Sequence, residues 1–157
     1  MYQQQSLQVR SIYHTIKRHI LYAVAKVFSM KFFASLMTFL VALLHIGIMV
    51  LEMFFWTHPI GQKIFSMTAE VAKSSEILAM NQGLYNSFLG FGLLWGLISG
   101  NQSLKVFLLI CVTIAGIFGG LTAKTSILYV QALPGFITLL LVLKAKRRQA
   151  GEARLFS

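Results

Sequence analysis

Apolar residues fall into four long blocks along the chain, at residues 32–56, 81–99, 104–123 and 127–143, each bounded by polar or basic positions. At ~1.5 Å per helical residue the first block reaches about 37 Å, more than the ~30 Å of a hydrocarbon core. The last block, which contains Pro134 and Gly135, is at the lower length limit for crossing. Its proline leaves the Val130 carbonyl without a helical donor and bends the helix. The pattern predicts an all-α protein, an integral membrane four-helix bundle. Ahead of the first block, residues 1–31 carry Val9, Ile12, Tyr13, Ile16, Ile20, Val24, Val27 and Phe28 at three- and four-residue steps among basic residues. That is the period of an amphipathic helix on a membrane surface, with a disordered tail as the alternative. His14 and His19 in this segment are read as solvated.

Residues 57–80 form the only long connection. Pro59 ends the first span, Trp56 takes a headgroup-level position, and a weak period over Ile60, Ile64, Phe65, Met67, Val71 and Ala72 predicts one short surface helix. Glu70 and Lys73 are placed there to pair. Gly92, Gly96 and Gly100 recur every fourth residue in the second block, as do Gly116 and Gly120 in the third. Such bare faces admit close helix packing, inside the chain or against a second copy.

Composition narrows the class. The chain is 57% hydrophobic and 11% charged, against the ~25% charged of a soluble domain. Its formal charge of +10 does not point to nucleic acid, because the basic residues collect outside the apolar blocks. Arg10, Lys17, Arg18, Lys26, Lys31, Lys105, Lys144, Lys146, Arg147, Arg148 and Arg154 fall on the side of the termini, and only Lys63, Lys73 and Lys124 on the other. This bias places both termini in the cytoplasm, gives residues 144–157 as a basic tail, and suits anionic lipid as a partner. A bacterial inner membrane is the expected location. The first apolar block is too long for a secretory signal core and reads as an uncleaved anchor. Cys111 stands alone, so neither a disulfide within the chain nor a cysteine metal cluster is expected, and no cofactor motif is present.

Glu52 is the only acidic residue inside an apolar block, and buried carboxylates in spans face a partner, a cavity or a substrate. His45 lies two turns deeper on the same face, with Met49 and Trp56 along the stripe. With alternating spans, Asn81, Gln82, Tyr85 and Asn86 of the second block and Gln131 of the fourth come to a similar depth, while the third offers only Thr122. Two outcomes are open. The groups can bind one another across a bundle, at about 0.6 kcal/mol per contact, or line an outward-facing pocket in which Glu52 is ionised against a cation or titrates.

The block Asn81-Gln-Gly-Leu-Tyr-Asn86, the His45, Glu52 and Trp56 pattern, Gly116 and the Val130-Gln-Ala-Leu-Pro134 stretch together resemble the bacterial and fungal membrane family catalogued as domain of unknown function 1304. The resemblance covers roughly residues 35–143 and implies a four-span integral membrane protein, without an activity. At the level of fold class the chain is also similar to four-helix redox-accessory membrane proteins of the DoxX type. The reading that follows is a binding or transport protein for a small solute, ion or lipid headgroup at Glu52, His45, Asn81, Gln82, Tyr85, Asn86 and Gln131. The alternatives are an accessory subunit docking a partner membrane protein through its glycine faces, and a membrane enzyme. In that last case Glu52 and His45 are ~10 Å apart along the axis and need a bridge to exchange a proton.

Overall fold

The computed structural model describes the backbone of residues 2–155, with side chains described throughout residues 29–148 and at some positions on either side. Among the described residues the chain is all-α, without a strand. The long helices are α1 (Tyr2–Phe54), α4 (Glu76–Ile98), α5 (Gln102–Thr122) and α6 (Leu133–Leu155). Two short helices, α2 (Pro59–Phe65) and α3 (Ala69–Ser74), fill the long connection, and a π-helical segment, Leu128–Ala132, leads into α6.

α1 runs without a break through both the basic segment and the first apolar block. The side chains expected to form the apolar face of residues 1–31, and His19, lie outside the described set. The helix stops at Phe54, two residues short of the expected end, and the chain bends through residues 55–58. Pro59 then opens α2, where its missing N–H is not needed, and His58 caps that helix by accepting from the Ile60 N–H at 3.2 Å. Trp56 therefore lies beyond the α1 stripe. Its Nε1 donates to Ser75 Oγ at 3.0 Å, and its ring rests on Phe65 with centroids 4.6 Å apart.

The connection forms two helices instead of one because Ser66 turns into left-handed geometry and Thr68 caps a new start, accepting from the Val71 N–H at 3.2 Å. Lys73 pairs with Glu76 at 2.7 Å, not with Glu70. Glu76 opens α4, where a carboxylate also meets the positive helix end, and the exposed pair is worth ~0–1 kcal/mol. Lys124, in the turn after α5, ties the connection to the helices by donating to Ser66 Oγ at 3.1 Å.

Among the described residues, three helical stretches are long and apolar enough to cross a membrane: Ser29–Phe54, Gln102–Thr122 and Leu128–Arg148. α4 is long as well, at 23 residues, but Asn81, Gln82, Asn86 and its glycines dilute its apolar character. α1 packs against α4 and α6, and α5 packs against α4, α6 and the π segment. The interior is built from small and medium residues such as Ala34, Val41, Ala42, Val112 and Ala145, whereas Phe33, Phe88, Trp95, Phe107 and Phe118 face outward. Large apolar groups outside and small ones at helix contacts are what a lipid surround requires, since lipid gives helices no hydrophobic reason to associate.

The π segment answers to Pro134. That residue offers no N–H to the Val130 carbonyl, and the preceding turn widens so that the Leu133 N–H bonds to the Leu128 carbonyl. Gly116 and Gly120 of α5 face this widened turn. A Cβ on Gly116 would stand 2.6 Å from the Ala132 backbone nitrogen, and one on Gly120 would overlap the Leu128 side chain. Gly92 and Gly96 face α5, where added carbons would meet Leu108 and Lys105 at 2.8 Å. Gly100 has a different part from the packing face expected of it. It sits in the α4–α5 turn at a φ of 65°, with open space around it, and serves the left-handed turn.

Gly116→Ala is expected to destabilise the protein by about 1–3 kcal/mol, because backbone atoms must move to admit the methyl. Gly47→Ala, with nothing within 4 Å of the new carbon, should leave stability unchanged or raise it slightly. Thermal unfolding of the detergent-solubilised variants against wild type checks both.

Candidate functional site

The seam between α1 and α4 carries the polar residues. On α4, Gly83, Asn86 and Gly90 face α1, and the stripe continues at the buried Ala79 and Leu93 in alternating steps of four and three. On α1, Gly83, Asn86 and Gly90 meet Ala42, His45, Ile46, Met49, Glu52 and Met53. This is the spacing of an antiparallel coiled-coil seam with small residues in place of large ones. A Cβ on Gly83 would lie 3.2 Å from the Met49 carbonyl oxygen, and one on Gly90 would lie 3.0 Å from the Ala42 carbonyl oxygen. The α4 backbone thus rests on α1 one turn to either side of Asn86.

That closeness lets one amide reach two α1 side chains. Asn86 Nδ2 donates to Glu52 Oε2 at 2.7 Å and to the Gln82 backbone carbonyl at 3.2 Å. Because a carbonyl can only accept, the second bond fixes which end of the amide is nitrogen. Asn86 Oδ1 then faces His45, whose Nδ1–H donates to it at 2.7 Å. In a neutral ring this leaves Nε2 as a bare acceptor, and His45 is completely buried, with Nε2 meeting no partner.

The expected site residues divide accordingly. His45, Asn86 and Glu52 are brought together. Gln82 takes part through its carbonyl alone, and its side chain is exposed. Asn81 and Tyr85 are exposed and point away from the seam, the Tyr85 ring lying 6.3 Å from that of Phe88. Gln131 is half-buried in the π segment and forms no side-chain hydrogen bond to the cluster. The reason is angular: α4 begins at Glu76 and presents only the Gly83, Asn86, Gly90 stripe to α1.

Glu52 has no cationic partner among the described residues, and its second carboxylate oxygen makes no hydrogen bond. No group of three His, Cys, Asp or Glu among the described residues could hold a metal ion. Asn86 also closes the direct route between His45 and Glu52, since an amide carries no proton that it readily exchanges. A groove of about 600 Å³ lies along α1, but it is lined by Leu44, Gly47, Ile48, Val50, Leu51, Phe55 and Ile60 and includes none of the polar set.

Lys105, by sequence a topological charge on the side of the termini, is buried in the first turn of α5, its stem against Gly96. The signal for it was the missing side chain on the facing helix.

A family model described as a protein of unknown function, DUF1304, matches residues 39–143. The chain is similar to an uncharacterised protein, YpaA, of Lactococcus lactis subsp. lactis (strain IL1403), at 30% identity over 106 residues, covering 65% of this chain and 89% of that one. No solved structure matches the chain.

Asn86→Leu leaves His45 Nδ1 and Glu52 Oε2 unpaired together, and a loss of about 1–3 kcal/mol is expected. Tyr85→Phe, which removes an exposed hydroxyl without a protein partner, should fall within about 0.5 kcal/mol of wild type. Denaturation midpoints of the two variants provide the comparison.

Proposed function

The chain belongs to the DUF1304 family, and on that premise we propose that it is a four-span membrane protein that binds a small cation, or the cationic headgroup of a lipid, at Glu52. Both termini lie in the cytoplasm, so the Glu52 end of the bundle faces outward, and the basic termini rest against anionic lipid. The carrying observation is a carboxylate held in an apolar helix with one oxygen fixed by Asn86, the other oxygen unpaired, and no cationic partner among the described residues. A register-setting polar contact between α1 and α4 accounts for Asn86, as a single buried amide does in coiled coils. It does not account for an acid, because a glutamine would make the same bond without the expense of burying a charge.

The other readings lose their supports. An accessory subunit docking through glycine faces would need those faces free, and Gly92, Gly96, Gly116 and Gly120 are packed within the chain. An acid–base enzyme would need His45 and Glu52 to exchange a proton, and Asn86 stands between them.

Purified protein in detergent, titrated with inorganic and organic cations at constant ionic strength, should be thermally stabilised by at least one of them. A ligand at a hundred times its Kd adds about 2.7 kcal/mol. Glu52→Gln should abolish that response. Stabilisation that survives Glu52→Gln, or no response to any cation in wild type, would overturn the reading.

A further inference from the structure

Lys105 is the fourth residue of α5, and only 5% of it is exposed. A cation stripped of water needs an anion or several acceptors beside it. Among the described residues the Lys105 side chain forms neither an ion pair nor a hydrogen bond. The chain itself has little to offer, with four Glu and no Asp. Glu70 and Glu76 lie at the far end of α4, whose 23 residues put about 34 Å between Glu76 and the turn into α5. Glu52 sits against Gly83, about 22 Å short of that turn. Glu152, on α6 beyond Lys146, has a side chain outside the described set. Nearby acceptors are occupied or turned away. Gln102 Oε1, three residues back on the same face, is sealed in without a hydrogen bond. At the end of α4 the Trp95 carbonyl accepts from the Ser99 N–H and Oγ, at 2.9 and 2.7 Å, and the Leu97 carbonyl from the Gly100 N–H at 3.2 Å.

The lysine is aimed at the start of its own helix. Helical side chains lean toward the N-terminus, so the stem, packed against Gly96, carries the ammonium back toward residue 102. Nζ, unlike Gln102 Oε1, is not cut off from the surroundings, which is the geometry of a buried stem with an accessible tip. Donors gather within that one turn. Asn101 accepts the Leu104 N–H on Oδ1 at 3.0 Å and the Lys105 N–H on its carbonyl at 3.2 Å, and this leaves the Gln102 and Ser103 N–H groups without a partner in the chain. The helix dipole is positive at the same end. Lys146 of α6, 3.4 Å from Ser103 Oγ, adds a second positive charge to the turn.

An unanswered buried cation, two free amides and a positive helix end ask for an anion with several acceptor oxygens. We propose that the start of α5 binds the phosphate of a membrane lipid, held by Lys105 Nζ and the Gln102 and Ser103 N–H groups, with Lys146 attracting it. The lipid source follows from depth. Lys105 stands about 5 Å inside the end of Gln102–Thr122, a stretch long and apolar enough to cross a membrane, and so within reach of the headgroup layer of that leaflet. A basic group lodged between spans, rather than along a tail, is the kind of feature that singles out one lipid from the surrounding pool. The site is at the opposite end of α4 from the Glu52 cation site and stands or falls independently of it.

The test measures thermal stabilisation of the full chain in detergent by phosphatidylglycerol, by diacylglycerol with the same acyl chains, and by inorganic phosphate at equal ionic strength. Phosphatidylglycerol should stabilise wild type and the other two should not. Lys105→Met, which keeps an apolar stem and removes the charge, should weaken the apparent phosphatidylglycerol affinity at least about five-fold. Lys105→Arg, which keeps the charge, should retain the response. Unchanged affinity in Lys105→Met would overturn the proposal, as expected if the basic tails alone gather the lipid. Equal stabilisation by diacylglycerol would show that the phosphate is not recognised, and equal stabilisation by inorganic phosphate would reassign the site to a free anion. Should Lys105→Met fail to fold, loss of the response in folded Lys105→Arg, or no response of wild type to phosphatidylglycerol, would equally contradict it.

Discussion

The polar cluster of His45, Asn86 and Glu52 depends on how closely α4 lies on α1. Gly83 and Gly90, one turn to either side of Asn86, leave no Cβ between the two backbones. The short asparagine side chain can therefore touch His45 and Glu52 together. Larger residues at either glycine would push α4 outward, and the 2.7 Å contacts on both sides of the amide would be lost. In a lipid surround this matters doubly, because close van der Waals packing and interhelical hydrogen bonds are what hold helices together there.

The remaining packing follows the same logic with different partners. Gly92 and Gly96 bring α4 to α5, and Gly116 and Gly120 bring α5 to the widened turn ahead of Pro134. The protein is small inside and large outside, with phenylalanines and Trp95 on the exterior and alanines, glycines, valines and threonines at the contacts. Buried hydroxyls cost little in such an interior because each donates to the carbonyl four residues back, as Thr38, Thr113 and Thr138 do. Nε2 of His45 has no such local partner, a condition it shares among the described residues with Gln102 Oε1 at the start of α5.

Much of this was legible in the sequence. The apolar blocks gave the helices, and a lone acid in one of them marked Glu52 without any structure. Membership of the DUF1304 family was readable from the block around Asn86 and is borne out by the family match. What could not be read was the angular placement of each polar residue, which depends on where a helix starts. α4 begins five residues before the expected block, at Glu76, and the face it offers α1 holds Asn86 but not Asn81 or Tyr85. The heptad-like spacing of Ala79, Gly83, Asn86, Gly90 and Leu93 was present in the sequence but overshadowed by the more regular Gly92, Gly96, Gly100 series, whose last member serves a turn. Lys73 choosing Glu76 over Glu70, and the π turn, arise from joins between helices that hydrophobic periodicity does not encode.

The central claim is that Asn86 locks His45 in the tautomer with its proton on Nδ1 and leaves Nε2 bare in the interior. Nitrogen-15 NMR of protein labelled at its histidine rings and reconstituted in bilayers, with the signals that vanish in His45→Phe assigned to His45, reads this directly. The account predicts a protonated Nδ1 and an unprotonated Nε2 for His45. A bare Nδ1 with the proton on Nε2 would contradict it, because Asn86 could not then accept from His45 while donating to both Glu52 and Gln82.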